Sequence, residues 1–498
     1  MYAKLSAPDA VVVEVAFDVV VGLADRPDPR VVGDVMTRPP SSVGAYVMTI
    51  QMVADGMRLA DPAGTWRVDL PVTADAPYPE TTIRLVADPT VAPITATSVR
   101  AMYSVDGNPI GLAVRSVAIV RSAALLEAAP VVEPAGGVDL SLPAGQVAPD
   151  LTVRIERAES QADGRLHVQL LAADPAIDTP DAPILIDIGG DPASDLRRIV
   201  NEMHEVEGKP TQFAALRGIG LTIAEQLPSE FWDVLATIAA RVQGRAPTIL
   251  FLSAEPYVPW ELAVVDPPLD PARPPFLAAQ ATVGRWLLGQ RRPALPPPMT
   301  AARGTIAAVS GVYQLPGWQR LLDAEAEAAD LVTAHKATPI DATTADVLDL
   351  LRGKPMADVI HFAVHGAYDA ETAIDGLVLV DGSALDPLVV RGTQLHGHPF
   401  VFLNACQVGA GHQLLGDHAG LAAAFLFAGA AGVIAPLWSI DDRIARDVAA
   451  RFYQRALAGE APAEILRTER AAFVDSPDTI SSTYLAYQFF GHPGLRLQ

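Results

Sequence analysis

Cys406 is the only cysteine in 498 residues, set in VFLNACQVGAG between an apolar run and a glycine-rich loop. His365 stands upstream in DVIHFAVHG, again just past an apolar run. A thiol is a modest nucleophile at its free pKa, and a neighbouring imidazole can take its proton and later return one to a leaving group. The two residues therefore predict acyl-transfer chemistry, with Cys406 as nucleophile and His365 as acid and base. Gly366 leaves its backbone N–H open to approach, and with the N–H of Cys406 it would hold the oxyanion of a tetrahedral intermediate. A buried free cysteine otherwise behaves as a small hydrophobe. The prediction thus depends on the elements that carry the pair.

DVIHFAV and PFVFLNA read as buried strands, each running into one of these side chains. In open parallel sheets the carboxyl ends of strands line the ligand crevice, so both residues are expected at one edge. From residue 151 strand-like runs (RLHVQLLA, PILIDIG, PTILFLS) alternate with helical ones (DLRRIVNEMHEV, SEFWDVLATIAARV), the pattern of an α/β domain. A proline-rich break at 291–304 divides it. Beyond the break, TIAAVSGVY is a strand and LLDAEAEAADLVTAHK a helix with acidic residues on its outer face. GLVLVDGSALDPLVV reads as a hairpin. Thr343 or Thr344 caps ADVLDLLRG, Asp417 caps HAGLAAAFLFAGA, and Asp441 or Asp442 opens RIARDVAARFYQRALAG.

Residues 8–125 differ in rhythm. Apolar and polar positions alternate in short bursts with turn signals at Asp55-Gly56, Ala63-Gly64 and Asp106-Gly107, which predicts an antiparallel β-sandwich. Without histidine or cysteine this segment suits binding or control better than cysteine chemistry. The expected division is a sandwich over 1–126, a Pro/Gly-rich linker over 127–150, and two α/β halves over 151–300 and 301–498, the second catalytic.

HFAVHG, FLNACQVGAG, GLAAAFLFAGAAGVIAPLWSIDD and the closing LAYQFFGHPGL resemble the CHAT family of caspase-like cysteine peptidases, relatives of separase and the caspases. The resemblance runs from roughly residue 165 to the end and is strongest from 357 onward, with ILFLSAEPYVPWEL similar to the family's N-terminal half. It implies a caspase-like α/β fold with a mostly parallel sheet, and His365 and Cys406 as a catalytic dyad. LWSIDDR resembles the separase-type segment whose acidic residue receives a basic side chain before the scissile bond. That alignment makes Asp442 the pocket carboxylate, with Asp441, Trp438 and Ser439 beside it as substrate-binding candidates, and implies cleavage after Arg or Lys. Capping a helix accounts equally well for either aspartate, and core packing for Trp438. Two positions depart from the family pattern: Gly491-His492-Pro493 where Gly-Asp-Pro is common, and Gln407 where Glu is common.

The expected activity is regulated intracellular proteolysis by a cysteine endopeptidase that uses no metal and no cofactor. The resemblance implies a role in bacterial defence or programmed cell death, with an activating partner engaging the sandwich. Two alternatives stay open: a catalytically idle scaffold or peptide-binding adaptor, and a thioesterase or transpeptidase using the same dyad. A formal charge of −22 disfavours nucleic acid and anionic lipid as partners and favours a protein or peptide substrate. One cysteine forms no internal disulfide, in keeping with a cytoplasmic location. Asp9, Glu14 and Asp18 interrupt the N-terminal apolar run, so it reads as strand rather than leader, and no membrane span is expected. His361 is expected to be a hydrogen-bonded core residue, because a zinc pair at its spacing from His365 would need a helix. His396, His398, His412 and His418 are expected in loops. Trp260 and Glu261 are expected to pack the two α/β halves together.

Overall fold

The computed structural model describes residues 1–31, 45–129, 147–158, 164–189, 192–288, 297–315, 318–369, 374–405, 412–414, 417–473 and 481–498. The apolar-polar alternation of the first 120 residues builds two facing sheets. One has four strands, in the order Tyr2–Ser6, Ala16–Ala24, Glu80–Ala87, Met57–Leu59. The other has five, in the order Ala10–Val12, Asn108–Val120, Ile94–Val105, Tyr46–Ala54, Arg67–Val72. Pairing is antiparallel except between Ala10–Val12 and Asn108–Val120, which run parallel. Val19, Val21, Ile50, Leu85, Tyr103 and Val117 fill the space between the sheets. Asp106 (φ 49°) and Gly107 (φ 75°) make the tight turn of the long hairpin, where both central residues need positive φ. Asp55-Gly56 does something else: it carries the chain from one sheet to the other, and Asp55 is buried.

The remaining chain builds one continuous sheet. Eleven strands lie in the order Ile184–Asp187, Arg165–Ala172, Leu151–Arg157, Thr248–Ser253, Thr282–Leu287, Tyr487–Phe490, Gly432–Pro436, Phe400–Asn404, Val359–Ala363, Ile306–Ser310, Thr338–Asp341. The sheet is mixed: Ile184–Asp187, Arg165–Ala172 and Leu151–Arg157 pair antiparallel at one end, and Tyr487–Phe490 runs antiparallel to Gly432–Pro436 at the centre. Helices Pro192–Val206, Gln212–Ala224, Ser229–Arg241, Leu322–His335, Thr344–Leu351, Leu421–Phe427, Asp442–Ala456 and Pro462–Glu469 accompany it. Gln212–Ala224 was not anticipated, because Gly218 and Gly220 interrupt its apolar pattern. Gly220 packs against the Leu262 carbonyl so closely that a Cβ would lie 2.5 Å from that oxygen.

Tyr487–Phe490 joins the two α/β halves, lying between Thr282–Leu287 and Gly432–Pro436. A buried pair reinforces the seam. Arg285 Nη2 meets Glu261 Oε2 at 2.6 Å, and Gln488 Nε2 donates to the same oxygen at 3.2 Å. Trp260, fully buried, stacks on Phe251 in the core of the first half. The sandwich docks on the strands at the antiparallel end through Asp55, Arg100, Arg154, Glu156, His167 and Gln169, all buried or nearly so. Among the described residues, no helix is long and apolar enough to cross a membrane, and no cluster of His, Cys, Asp and Glu could hold a metal ion.

Candidate active site

Val359–Ala363 and Phe400–Asn404 are neighbouring parallel strands, with Ala363 opposite Asn404, so they end level at one edge of the sheet. Every residue of both strands is buried, in keeping with runs that are apolar except for His361 and Asn404. Beyond the first, the chain passes through Val364 and turns into a separate hairpin, His365–Asp369 with Ile374–Val378, to which Ala384–Leu385 adds a third strand. His365 opens that hairpin. Beyond the second strand lies Ala405, also buried. Cys406 and Gln407 lie outside the described residues, as does the rest of 406–411.

His365 is held on three sides. Its Nε2 lies 2.7 Å from the Gln319 carbonyl oxygen, and its ring packs edge-on against Tyr313 and tilted against Trp318. A carbonyl only accepts, so Nε2 carries the proton and Nδ1 is the basic position of the neutral ring. The Tyr313 hydroxyl accepts the His365 backbone N–H at 3.2 Å and donates to the Val378 carbonyl at 2.6 Å. Burial pushes the Tyr313 phenol up to about 12, against the His365 N–H, so it stays a neutral donor.

A small cleft of about 20 Å³ opens beside this histidine, walled by Leu321, Glu327, His365, Asn404, Ala405 and Asp442. The two aspartates separate here. Asp441 is the N-cap of Asp442–Ala456: its carboxylate accepts the Ile444 N–H at 2.9 Å, and its own N–H donates to Thr483 Oγ1. Asp442, first residue of the helix, faces the cleft. Partial desolvation raises its carboxyl above the usual range; the charge of His365 pulls it down, while Asp441, Asp323 and Glu327 push it further up. A carboxylate so placed gains from a cation.

Of the two readings open for Trp438, core packing is the one found: it is 2 % exposed, its indole N–H donating to Ser482 Oγ at 3.0 Å. It follows a strand whose residues are all buried, and the apolar wall continues through it. Ser439 is half-buried and is not part of the cleft wall. Gly366 lies on the hairpin opposite Leu377. Asp417 does not cap a helix: it starts the short strand Asp417–Ala419, which pairs with His412–Leu414, and Gly420 stands at the N-cap of Leu421–Phe427. His412 and His418 are therefore on paired strands rather than in loops. In GLVLVDGSALDPLVV only the first part is hairpin, because Asp386 caps a short helix, Pro387–Arg391.

The sequence of LLDAEAEAADLVTAHK suggested outward acids, yet Glu327 points inward. Ala324, Glu327, Ala328 and Leu331 form the buried stripe of Leu322–His335, so the spacing of three and four was the available signal. His361 is a hydrogen-bonded core residue, with Nδ1 3.1 Å from the Tyr453 hydroxyl and Nε2 2.6 Å from Glu327 Oε1.

The sequence model of the CHAT domain matches residues 153–487, from the first strand of the large sheet to the start of the strand that joins its halves. The chain belongs to the CHAT-domain family. Two crystal structures of the Saccharomyces cerevisiae separase–securin complex align with it at TM-scores of 0.39 and 0.40 and 8 % identity. Each alignment covers 70 % of this chain and 30 % of the other. No curated protein matches the chain. The family places a caspase-like α/β domain over the large sheet and leaves the sandwich outside the matched CHAT region.

Proposed function

We propose that this CHAT protein is a cysteine endopeptidase that cuts after arginine or lysine. One observation carries the reading: His365 and Asp442 share a cleft with Asn404 and Ala405, the residues leading directly to Cys406. In the proposed reaction the thiol proton of Cys406 passes to Nδ1 of His365 as the sulfur attacks the substrate carbonyl carbon. The tetrahedral oxyanion is held by the N–H groups of Gly366 and Cys406. The placement of Gly366 supports its part: the preceding N–H, of His365, is taken by the Tyr313 hydroxyl, and strand alternation turns the Gly366 N–H to the other side. Collapse breaks the C–N bond, and the imidazolium gives its proton to the departing amine. Water then attacks the thioester, losing a proton to His365; collapse breaks the C–S bond, releases the carboxylic acid and returns that proton to the Cys406 sulfur.

Asp442 supplies specificity in this reading, receiving the guanidinium or ammonium of the residue before the cut. Regulated proteolysis, with the sandwich as the docking place of an activating partner, extends the proposal. Incubation with a peptide library, with cleavage positions read by mass spectrometry, tests it. Cuts are expected after Arg or Lys and none in the Cys406→Ala variant. Faster cutting after aspartate would reject the pocket assignment, and cleavage persisting without the thiol would reject the nucleophile.

A further inference from the structure

Below the cleft lies a closed set of polar side chains that the proposed reaction does not use. Glu327, 4 % exposed, accepts from the Asn404 amide, whose Nδ2 lies 2.7 and 2.8 Å from its two oxygens. His361 Nε2 lies 2.6 Å from Glu327 Oε1, a close contact without hydrogen-bond geometry. His361 Nδ1 faces the Tyr453 hydroxyl, and Asn404 Oδ1 accepts the Tyr487 hydroxyl at 2.6 Å. Three bonds tie the set together: Tyr453 donates to His361 Nδ1, the Asn404 amide donates to Glu327, and Tyr487 donates to Asn404. Burial, with the Glu327 charge added, lifts the Tyr453 phenol well above its ordinary range and keeps it a donor.

Five elements meet in this set: the helices Leu322–His335 and Asp442–Ala456 and the strands Val359–Ala363, Phe400–Asn404 and Tyr487–Phe490. A carboxylate buried among hydrocarbons is costly unless fully paired, and simple packing would be served as well by apolar residues. What the set does hold is the last residue of the strand that delivers the proposed nucleophile, and Glu327 itself reaches the cleft wall beside His365.

We propose that Glu327 is a positioning residue: by gripping the Asn404 amide it fixes the end of Phe400–Asn404, and through it the placement of the Cys406 thiol and N–H relative to His365. The inference rests on the reading of Cys406 as nucleophile. Glu327→Gln sets an amide donor against the Asn404 donor. Asn404→Asp sets carboxylate against carboxylate. The double variant Glu327→Gln/Asn404→Asp restores one donor and one acceptor at the contact with the polarity reversed, and Tyr487 keeps its acceptor.

The test uses the full chain and a chloromethyl ketone built on the peptide the parent cleaves fastest. The rate of Cys406 alkylation at saturation and the reagent's binding constant are measured below the melting transition of each variant. Each single variant is expected to lose about 10- to 100-fold in saturated rate, as small misplacements of reacting groups do. The binding constant is expected to hold, and the double variant to regain most of the rate. Single variants that alkylate at the parental rate, rates that fall only as the folded fraction falls, or a double variant no faster than the slower single one would each overturn the inference. If the parent itself cleaves no peptide and takes no label on Cys406, the nucleophile reading fails and this inference falls with it; a labelled parent with unaffected variants removes the positioning role alone.

Discussion

Three histidines of the α/β region show how surroundings divide one residue type among different tasks. His365 sits at the cleft rim with one ring nitrogen committed to a carbonyl and the other basic. His361 is wholly enclosed and serves as a bridge between Tyr453 and Glu327. His492 occupies the position where the family commonly carries aspartate. It is buried, and its Nδ1 accepts the Gly494 N–H at 3.0 Å, which is the turn-closing contact an aspartate oxygen would make. The departure is thus a replacement of one acceptor by another, with a difference in pH response. Burial lowers the His492 imidazole to about 4. A histidine whose folded pKa lies below its unfolded value binds more protons when unfolded, so stability is complete above the unfolded pKa near 6.5 and falls as pH drops toward 4. The expected loss from this residue is about 3 kcal/mol at most across that window. Urea unfolding between pH 7 and 4 should show His492→Asn with a flatter profile than the parent; parallel profiles would mean His492 stays neutral in neither state or is reached by water.

At the scale of elements, the helix Asp442–Ala456 illustrates two adjacent carboxylates with separate work. Asp441 satisfies an unpaired N–H of the first turn, and its replacement by alanine should cost about 1 kcal/mol of stability while leaving peptide selectivity as it was. Asp442 makes no such bond and faces the cleft. Asp442→Ala should leave the melting temperature nearly unchanged and cut kcat/KM for Arg and Lys peptides by roughly 10- to 100-fold, the worth of a charge-assisted hydrogen bond. Comparing melting curves and kcat/KM for the two variants checks the division; swapped effects would reverse the assignment. Such local features were partly legible beforehand. LWSIDDR announced a helix start because carboxylates cap N–H groups, but which aspartate caps depends on a single backbone rotation that no spacing records. The buried strands that carry His361 and Asn404 were legible from the apolar residues around those two. Glu327 was not legible, because charge on a helix usually marks the solvent side and its partners, Asn404 and His361, come from two strands remote in the chain. Trp438 stayed open between groove and core because an aromatic beside an acidic residue suits either, and only the packing around it decides for the core.

For the whole molecule, the alternation of the first 120 residues and the strand-helix rhythm thereafter made both folds readable, while the contact between them was hidden in residues that looked like solvated charges. Asp55 sits in a turn signal and Arg100 in a strand of alternating pattern, yet both are buried where the sandwich meets the sheet strands Leu151–Arg157 and Arg165–Ala172. Arg100 meets Asp55 at 2.5 Å and Glu156 at 3.3 Å, Asp55 also pairs with His167, and Arg154 meets Glu156 at 2.6 Å. Burial works to raise the Glu156 carboxyl, but Arg154 and Arg100 together win and hold it below its usual range. Amide bonds flank the charges: Gln51 Nε2 donates to the Leu170 carbonyl and Gln169 Nε2 to that of Met52. Removing one member of such a set strands the others without water, which costs about 3–5 kcal/mol for a buried pair. Arg100→Ala should therefore weaken the docking far more than the sandwich itself, whose core at Val19, Leu85 and Val117 is apolar and untouched. Hydrogen exchange should quicken at residues 151–157 and 165–172 and at 51–55, while amides of Ala16–Ala24 and Glu80–Ala87 keep the parental rates. If exchange rises evenly through both sheets of the sandwich, Arg100 belongs to its folding rather than to its attachment. If no amide changes, the carboxylates it leaves are compensated and the charged seam is not what holds the two parts together.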